Sequence, residues 1–202
     1  MKKKLFLFIS AFFIGINLVY AKEKVEFVKC VDGDTFRVMI DSEEHLVRMI
    51  AIDTPELAKN GNKAEYYAEE ASNYTCNKIK NAKKIELEYD PKSDKVDKYD
   101  RVLAWVYVDG KLLQEELVKN GYAKVAYLYA EYKYVDMLKE KQELASAKEM
   151  GVWNSKEKQE YEQNKDSEEE KIDETGNGVV GLIGIIILVI VFIFDKIFNR
   201  KK

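Results

Sequence analysis

Apolar and polar positions alternate in five short runs between residues 25 and 108. Val25–Val31 places Val25, Phe27 and Val31 on one face, and Lys84–Tyr89 does the same with Ile85, Leu87 and Tyr89. Thr35–Ile40, His45–Ile52 and Val102–Val108 complete the set. A period of two marks half-buried strands. Asp32–Gly33, Asp41–Ser42–Glu43–Glu44 and Asp109–Gly110 supply turns between them, and Pro55 closes the third run. The period changes to that of a helix over 62–79, where Ala64, Tyr67, Ala68, Ala71, Tyr74 and Thr75 share a face. Two further helices are predicted, Lys111–Lys119 ending at Asn120–Gly121, and Glu131–Met150 stopped by Gly151. Five strands with helices inserted and appended predict an α+β fold built on a small closed barrel, which removes exposed strand edges.

The two ends of the chain read differently. Met1–Lys4 is basic, Leu5–Val19 is almost wholly apolar, and Val19–Tyr20–Ala21 offers a cleavage site, the pattern of a signal peptide over 1–21. The folded domain is expected over 22–155. An acidic, apolar-poor tether follows over 156–177, either solvated or a frayed helix. The apolar run at 178–194 then predicts a transmembrane helix, and the basic tail 195–202 favours a cytoplasmic C-terminus. This reading puts a monomeric soluble domain on the outer face of the cytoplasmic membrane, with the membrane a partner through the C-terminal helix. Ile172–Asp173–Glu174–Thr175–Gly176 resembles a Gram-positive cell-wall sorting signal in which Ile-Asp replaces Leu-Pro. Retention in the membrane is the expectation.

Composition adds two constraints. Residues 22–155 hold 22 lysines and arginines against 26 acidic residues, so any contact with a polyanion must be local to a cleft. An exported chain permits a disulfide between its two cysteines, Cys30 and Cys76, worth ~4 kcal/mol on a chain-entropy estimate. Their spacing does not establish that they meet. Without partnering histidines they make no zinc site, and the single histidine, His45, reads as a solvated strand residue.

Candidate chemistry gathers in Val31–Asp32–Gly33–Asp34–Thr35 and in Arg48 through Asp53–Thr54–Pro55–Glu56. Carboxylates suit a hard divalent cation, and arginine forks suit phosphate. Arg48 and Asp53 are five residues apart, so a regular strand would point them to opposite faces. One site can hold both only if the strand twists or bends at its end. Phosphodiester hydrolysis needs an activated water and preformed donors for charge on the phosphorane-like transition state. Residue chemistry alone leaves Glu56 and Glu44 as equal candidates for the base.

Together with Asp97–Lys98–Tyr99–Asp100–Arg101 and Gly121–Tyr122–Ala123–Lys124–Val125–Ala126–Tyr127–Leu128–Tyr129, these stretches resemble the staphylococcal (micrococcal) nuclease, or thermonuclease, family over Val25–Trp153. The resemblance implies an OB-fold five-stranded barrel with three helices that hydrolyses DNA and RNA using Ca²⁺ and leaves 3′-phosphate ends. It implies that Asp34, Asp53 and the Thr54 carbonyl hold Ca²⁺. Glu56 would be the general base, with Arg48 and Arg101 on the phosphate. Lys98, Tyr99, Tyr127 and Tyr129 would line the nucleotide pocket. Asp100 departs from the glycine of the best-known member. The expected function is therefore a secreted, membrane-tethered, Ca²⁺-dependent nuclease. The alternatives are a non-catalytic OB-type module binding nucleic acid or protein at the cell surface, and an envelope structural protein.

Overall fold

A computed structural model describes residues 22–165. Strand β1 (Glu23–Cys30) pairs antiparallel with β2 (Thr35–Ile40), and β2 with β3 (Glu43–Met49). Strand β5 (Ile85–Glu88) pairs antiparallel with β1 and with β6 (Arg101–Val108). A parallel pairing of β3 with β6 closes the ring. Side chains of alternate positions fill the interior: Phe36, Val38, Val47, Met49, Leu87 and Trp105 are all fully buried. The short β4 (Ile52–Asp53) leaves the barrel and pairs with β8 (Lys124–Val125) instead. Strand β7 (Lys111–Leu112) adds an edge to β6.

Helices α1 (Ala68–Lys80), α2 (Leu113–Lys119) and α3 (Val135–Ala147) pack around this ring. The predicted first helix begins six residues too early. Asn60 and Gly61 take left-handed conformations (φ 53° and 84°) and fold Lys59 against Asn62 as a tight bridge. Apolar spacing carried the helical reading back past Tyr67, which is itself left-handed (φ 71°) and fixes the start of α1 at Ala68. After α3, Gly121 and Gly151 stand back to back. A Cβ on either would come within 2.2 Å of a backbone oxygen across the gap, and the Val152 amide donates to the Gly121 carbonyl at 2.9 Å. This contact docks the 150–153 segment on the end of α2.

One expectation is sharpened and another needs correction. Residues 155–165, assigned mostly to an acidic tether, form a fourth helical segment, capped by Asn154 Oδ1 accepting from the Glu157 amide at 3.2 Å. It packs on the body of the domain through Tyr161, whose hydroxyl donates to the Ala64 carbonyl at 2.8 Å. Among the described residues the fold is therefore a five-stranded OB-type barrel with four α-helical segments, in place of the expected three, and none of them is a membrane helix. Among the described residues no helix is long and apolar enough to cross a membrane. The longest, α1 and α3, have 13 residues each, roughly 20 Å of rise against the roughly 30 Å hydrocarbon layer. The expected span at 178–194 lies outside the described residues, as do the segment 1–21 and the sorting-like motif at 172–176.

Candidate active site

The turn entering β2 starts the site. Both the Val31 and Asp32 amides donate to the Thr35 carbonyl, and Asp32 Oδ1 accepts from the Asp34 amide. Gly33 lies so close to Thr54 that a Cβ would meet its hydroxyl at 2.6 Å. Thr75 of α1 donates to the Gly33 carbonyl at 2.6 Å. One residue further on, Cys76 is disulfide-bonded to Cys30 at the end of β1. The Asp34 loop is thus tied to α1 by a hydrogen bond and by a covalent bridge.

Asp34 is 1% exposed. Its Oδ1 accepts from the Arg48 guanidinium and from the Thr35 hydroxyl, and its Oδ2 accepts from the Thr54 amide at 3.0 Å. Arg48 Nη2 also donates to Asp53 Oδ1 and to the Ile52 carbonyl, both at 3.2 Å. The bend that joins Arg48 to Asp53 is at Ala51, which is left-handed (φ 63°). That single residue breaks the alternation between β3 and β4. The Ala51 carbonyl accepts from the Ala126 amide at 3.1 Å, which holds the bend.

Burial pushes the Asp34 carboxyl up to about 7; Arg48 opposes this and Asp32 reinforces it. Burial works against the Arg48 cation, but Asp34 and Asp53 outweigh it and raise its pKa. Glu56 is raised mainly by desolvation, with Asp32 next. Acidic neighbours thus crowd one guanidinium at the base of the site.

Above it opens a cavity of about 810 Å³. Arg48, Glu56, Lys98, Tyr99, Arg101, Tyr127 and Tyr129 all line it. Arg101 is aimed by Asp97, which accepts from its Nε at 2.7 Å and from its backbone amide at 3.0 Å. Tyr99, Tyr127 and Tyr129 stand at the mouth, Tyr129 being 82% exposed. The Tyr99 ring lies 5.3 Å from the Arg101 guanidinium and 4.9 Å from the Lys98 ammonium. Asp53 and Thr54 face a smaller neighbouring cavity of about 320 Å³ instead, and Asp34 lies beneath Arg48. All ten predicted site residues therefore fall in one neighbourhood, in two layers.

Sequence reasoning overlooked the supporting residues. Asp97 is one, although its spacing of four from Arg101 was visible. Glu65 is another: its Oε2 accepts from the Glu56 amide at 3.1 Å, and its own amide donates to the Glu56 carbonyl at 2.9 Å. Lys92 and Tyr132 line the cavity from two loops, before β6 and before α3, whose paths no local pattern revealed. Glu44, the rival base, pairs with Arg37 on the exposed face of the β2–β3 hairpin.

The metal expectation is narrowed. Among the described residues no group of three or more His, Cys, Asp or Glu side chains could hold a metal ion. Asp34 and Asp53 instead share a guanidinium. The expected membrane-tethered, Ca²⁺-dependent nuclease is corrected on both qualifiers, for want of a spanning helix and of a carboxylate cage among the described residues. Among the described residues nothing supports the membrane partner or the outer-face location, and both are withdrawn with the first.

A family model described as staphylococcal nuclease homologue matches residues 46–155. The chain is 42% identical over 127 residues to the SPbeta prophage-derived endonuclease YokF of Bacillus subtilis, covering 62% of this chain and 42% of that one. Endonuclease YncB of the same organism is 39% identical, with 62% and 59% covered. The thermonuclease of Staphylococcus hyicus is 34% identical, with 63% and 74% covered. The chain thus spans about half the length of the two Bacillus relatives. With the matched segment carrying β3 to α3, and the arginines and carboxylates of the site within it or just before it, the chain belongs to the staphylococcal nuclease homologue family.

Proposed function

We propose that the protein is a phosphodiester hydrolase acting on nucleic acid, a nuclease. The observation that carries this reading is the larger cavity, in which two arginines, Glu56 and three exposed tyrosines meet. Arg48 and Arg101 present planar donor forks to the phosphate oxygens. Glu56, on the exposed rim, accepts a proton from the attacking water or orients it. Tyr99, Tyr127 and Tyr129 offer flat faces for unpaired bases, which makes recognition tolerant of sequence. Lys98 adds a cation to the strand path. DNA and RNA both present the groups that this cavity would contact. The names of the relatives, endonuclease and thermonuclease, support the same class.

The cofactor reading is confined to what the donors can do. Asp34, Asp53 and the Thr54 carbonyl are hard oxygen donors of the kind Ca²⁺ prefers. Ca²⁺ takes about six to eight oxygens, so water or substrate would have to complete its shell. A bound ion would supply Lewis-acid stabilisation at the phosphate. In the protein as described, Arg48 neutralises part of that charge.

A second reading has one observation in its favour. Arg48 is engaged by two carboxylates and a carbonyl, and its side chain is only 10% exposed. A site locked in that state would bind nucleic acid without cutting it. Incubating the full chain with plasmid and with RNA, with Ca²⁺ or with chelator, separates the two. Cleavage supports the hydrolase. Retention of uncut nucleic acid under both conditions supports the binding module.

A further inference from the structure

The helical segment 155–165 begins where the family match ends. Glu157, Tyr161 and Lys165 are spaced by four and share one face. That face meets the stretch between Glu56 and α1. The Tyr161 hydroxyl donates to the Ala64 carbonyl at 2.8 Å, and Lys165 Nζ donates to the same oxygen at 3.4 Å. The Tyr66 hydroxyl donates to Glu157 Oε2 at 3.0 Å, and the Tyr66 and Tyr161 rings lie 5.7 Å apart. Burial, with Glu157 next, holds the Tyr66 phenol up to about 12, so it remains a neutral donor.

The stretch so gripped is the one that carries Glu56. From Glu56 to Tyr67 there is no regular helix or strand; within it stand the Lys59–Asn62 bridge and the reciprocal bonds between Glu56 and Glu65, and at its end Tyr67 stacks on Tyr122. Glu65 lies between Ala64 and Tyr66, both held by the helix, whose Lys165 carbonyl also accepts from Lys63 Nζ at 3.3 Å. We propose that residues 155–165 form a positioning strap: Tyr161 and Glu157 fix Ala64 and Tyr66, and Glu65 passes that restraint to the backbone of Glu56. The strap rests on the nuclease reading for its purpose and on the contacts alone for its existence. None of its residues lines the larger cavity, and of the strap only Lys158 and Glu162 border the smaller one beside Asp53 and Thr54. The strap residues restrict where the Glu56 carboxylate can stand relative to Arg48 and Arg101. Truncating Tyr161 would release a segment that its own few hydrogen bonds hold only weakly.

The test uses the full chain with Tyr161→Ala, Tyr161→Phe and Glu157→Gln. Tyr161→Ala is expected to lower kcat on single-stranded DNA by about tenfold or more, since a small displacement of a reacting group is costly. KM should stay within about twofold, because the arginines and tyrosines are untouched. Tyr161→Phe keeps the ring and should fall between; Glu157→Gln keeps an acceptor for Tyr66 and should stay near wild type. Amide exchange at Glu56 and Glu65 should quicken by about tenfold in Tyr161→Ala, while the amides of β1 and β2 stay protected. Unchanged kcat and unchanged exchange in Tyr161→Ala overturn the strap. So does a loss of kcat that only follows the unfolded fraction. A wild-type chain that cuts no nucleic acid overturns the nuclease reading, and the exchange measurement then decides the strap by itself.

Discussion

Asp34 and Glu88 are both carboxylates buried in the barrel wall, and each faces a cation. Around Glu88 the groups satisfy one another: Tyr134 and Lys133 donate to it, and Tyr107 donates to Tyr134 at 2.8 Å. Next to it, Asp90 accepts from the Trp105 indole at 2.9 Å and from the Lys133 amide at 2.8 Å. The bonds at Glu88 and Tyr134 tie β5 and β6 to the entrance of α3, and Asp90, just past β5, links Trp105 of β6 to the same entrance. Around Asp34 the balance is different. One guanidinium serves two carboxylates and a carbonyl, the Asp34 pKa is raised to about 7, and the guanidinium borders an open cavity. A buried charge is therefore no signature of function by itself. What separates the two clusters is a cavity alongside and charges left imperfectly balanced.

The comparison breaks first at the arginines. Arg48→Lys and Arg101→Lys should each lower kcat by about a hundredfold, near 3 kcal/mol, because lysine keeps the charge and loses the fork. The melting temperature should change little for Arg101→Lys, whose ion pair is partly exposed. Steady-state kinetics on a defined oligonucleotide checks both. Wild-type kcat in either variant would remove that arginine from the phosphate.

The bridge comes next. It stands on the Asp34 side of the barrel, and the Glu88 cluster has no covalent counterpart. Cys30 and Cys76 are 46 residues apart, which gives about 4 kcal/mol on the loop-entropy estimate. Reduction, or the double change Cys30→Ser with Cys76→Ser, should lower stability by that order in denaturant melts. Activity of the molecules that remain folded should also fall, because Thr75 anchors Gly33 beside the bridge. A loss of stability with full activity would mean that the bridge serves the fold alone.

Glu88→Gln probes the other cluster. It keeps an acceptor for Tyr134 and loses the charge opposite Lys133. A cost of about 1–2 kcal/mol in stability is expected, with kcat of the folded protein unchanged. Slower turnover at equal folding would erase the distinction between the clusters.

How much of this was legible in the sequence follows the range of the interactions. The strands were readable because alternation is local, and β2 runs over Thr35–Ile40 as predicted. The Asp34–Arg48–Asp53 juxtaposition was only conditionally readable. It needed a bend, and nothing about alanine at position 51 announces a left-handed residue. The pairing of Cys30 with Cys76 could not be derived, since loop length says nothing of distance. Strands β4 and β8 have two residues each, too few for any period to register. The docking of the helix at 155–165, where a solvated tether and a frayed helix were both open, was not legible because its sequence has almost no apolar face. The helix is held by one tyrosine, by hydrogen bonds to a backbone carbonyl and by Glu157, and hydropathy does not record these.

The smallest effect expected is on alkaline stability. The hydrogen bond to Glu88, and then that to Tyr134, lift the Lys133 ammonium from its ordinary 10.5 to about 12 against a little desolvation. A pKa raised by folding means that the pair stabilises fully below the unfolded value and that this contribution fades as pH climbs from 10.5 to about 12. Half of the Lys133 side chain is exposed, so water and salt screen the pair and keep its contribution modest. Glu88→Gln removes the first cause of the shift, and it also eases the upward push of Glu88 on the Tyr107 phenol, which narrows the gap in the same direction. The stability gap between wild type and Glu88→Gln should therefore be constant from about pH 8 to 10 and narrow above that. Urea melts of the two proteins side by side give this gap directly, and groups that titrate alike in both cancel. A gap that stays constant past pH 12 would mean that the charge opposite Glu88 is not Lys133. The Glu88 cluster would then lack the cation that makes it comparable with the one at Arg48.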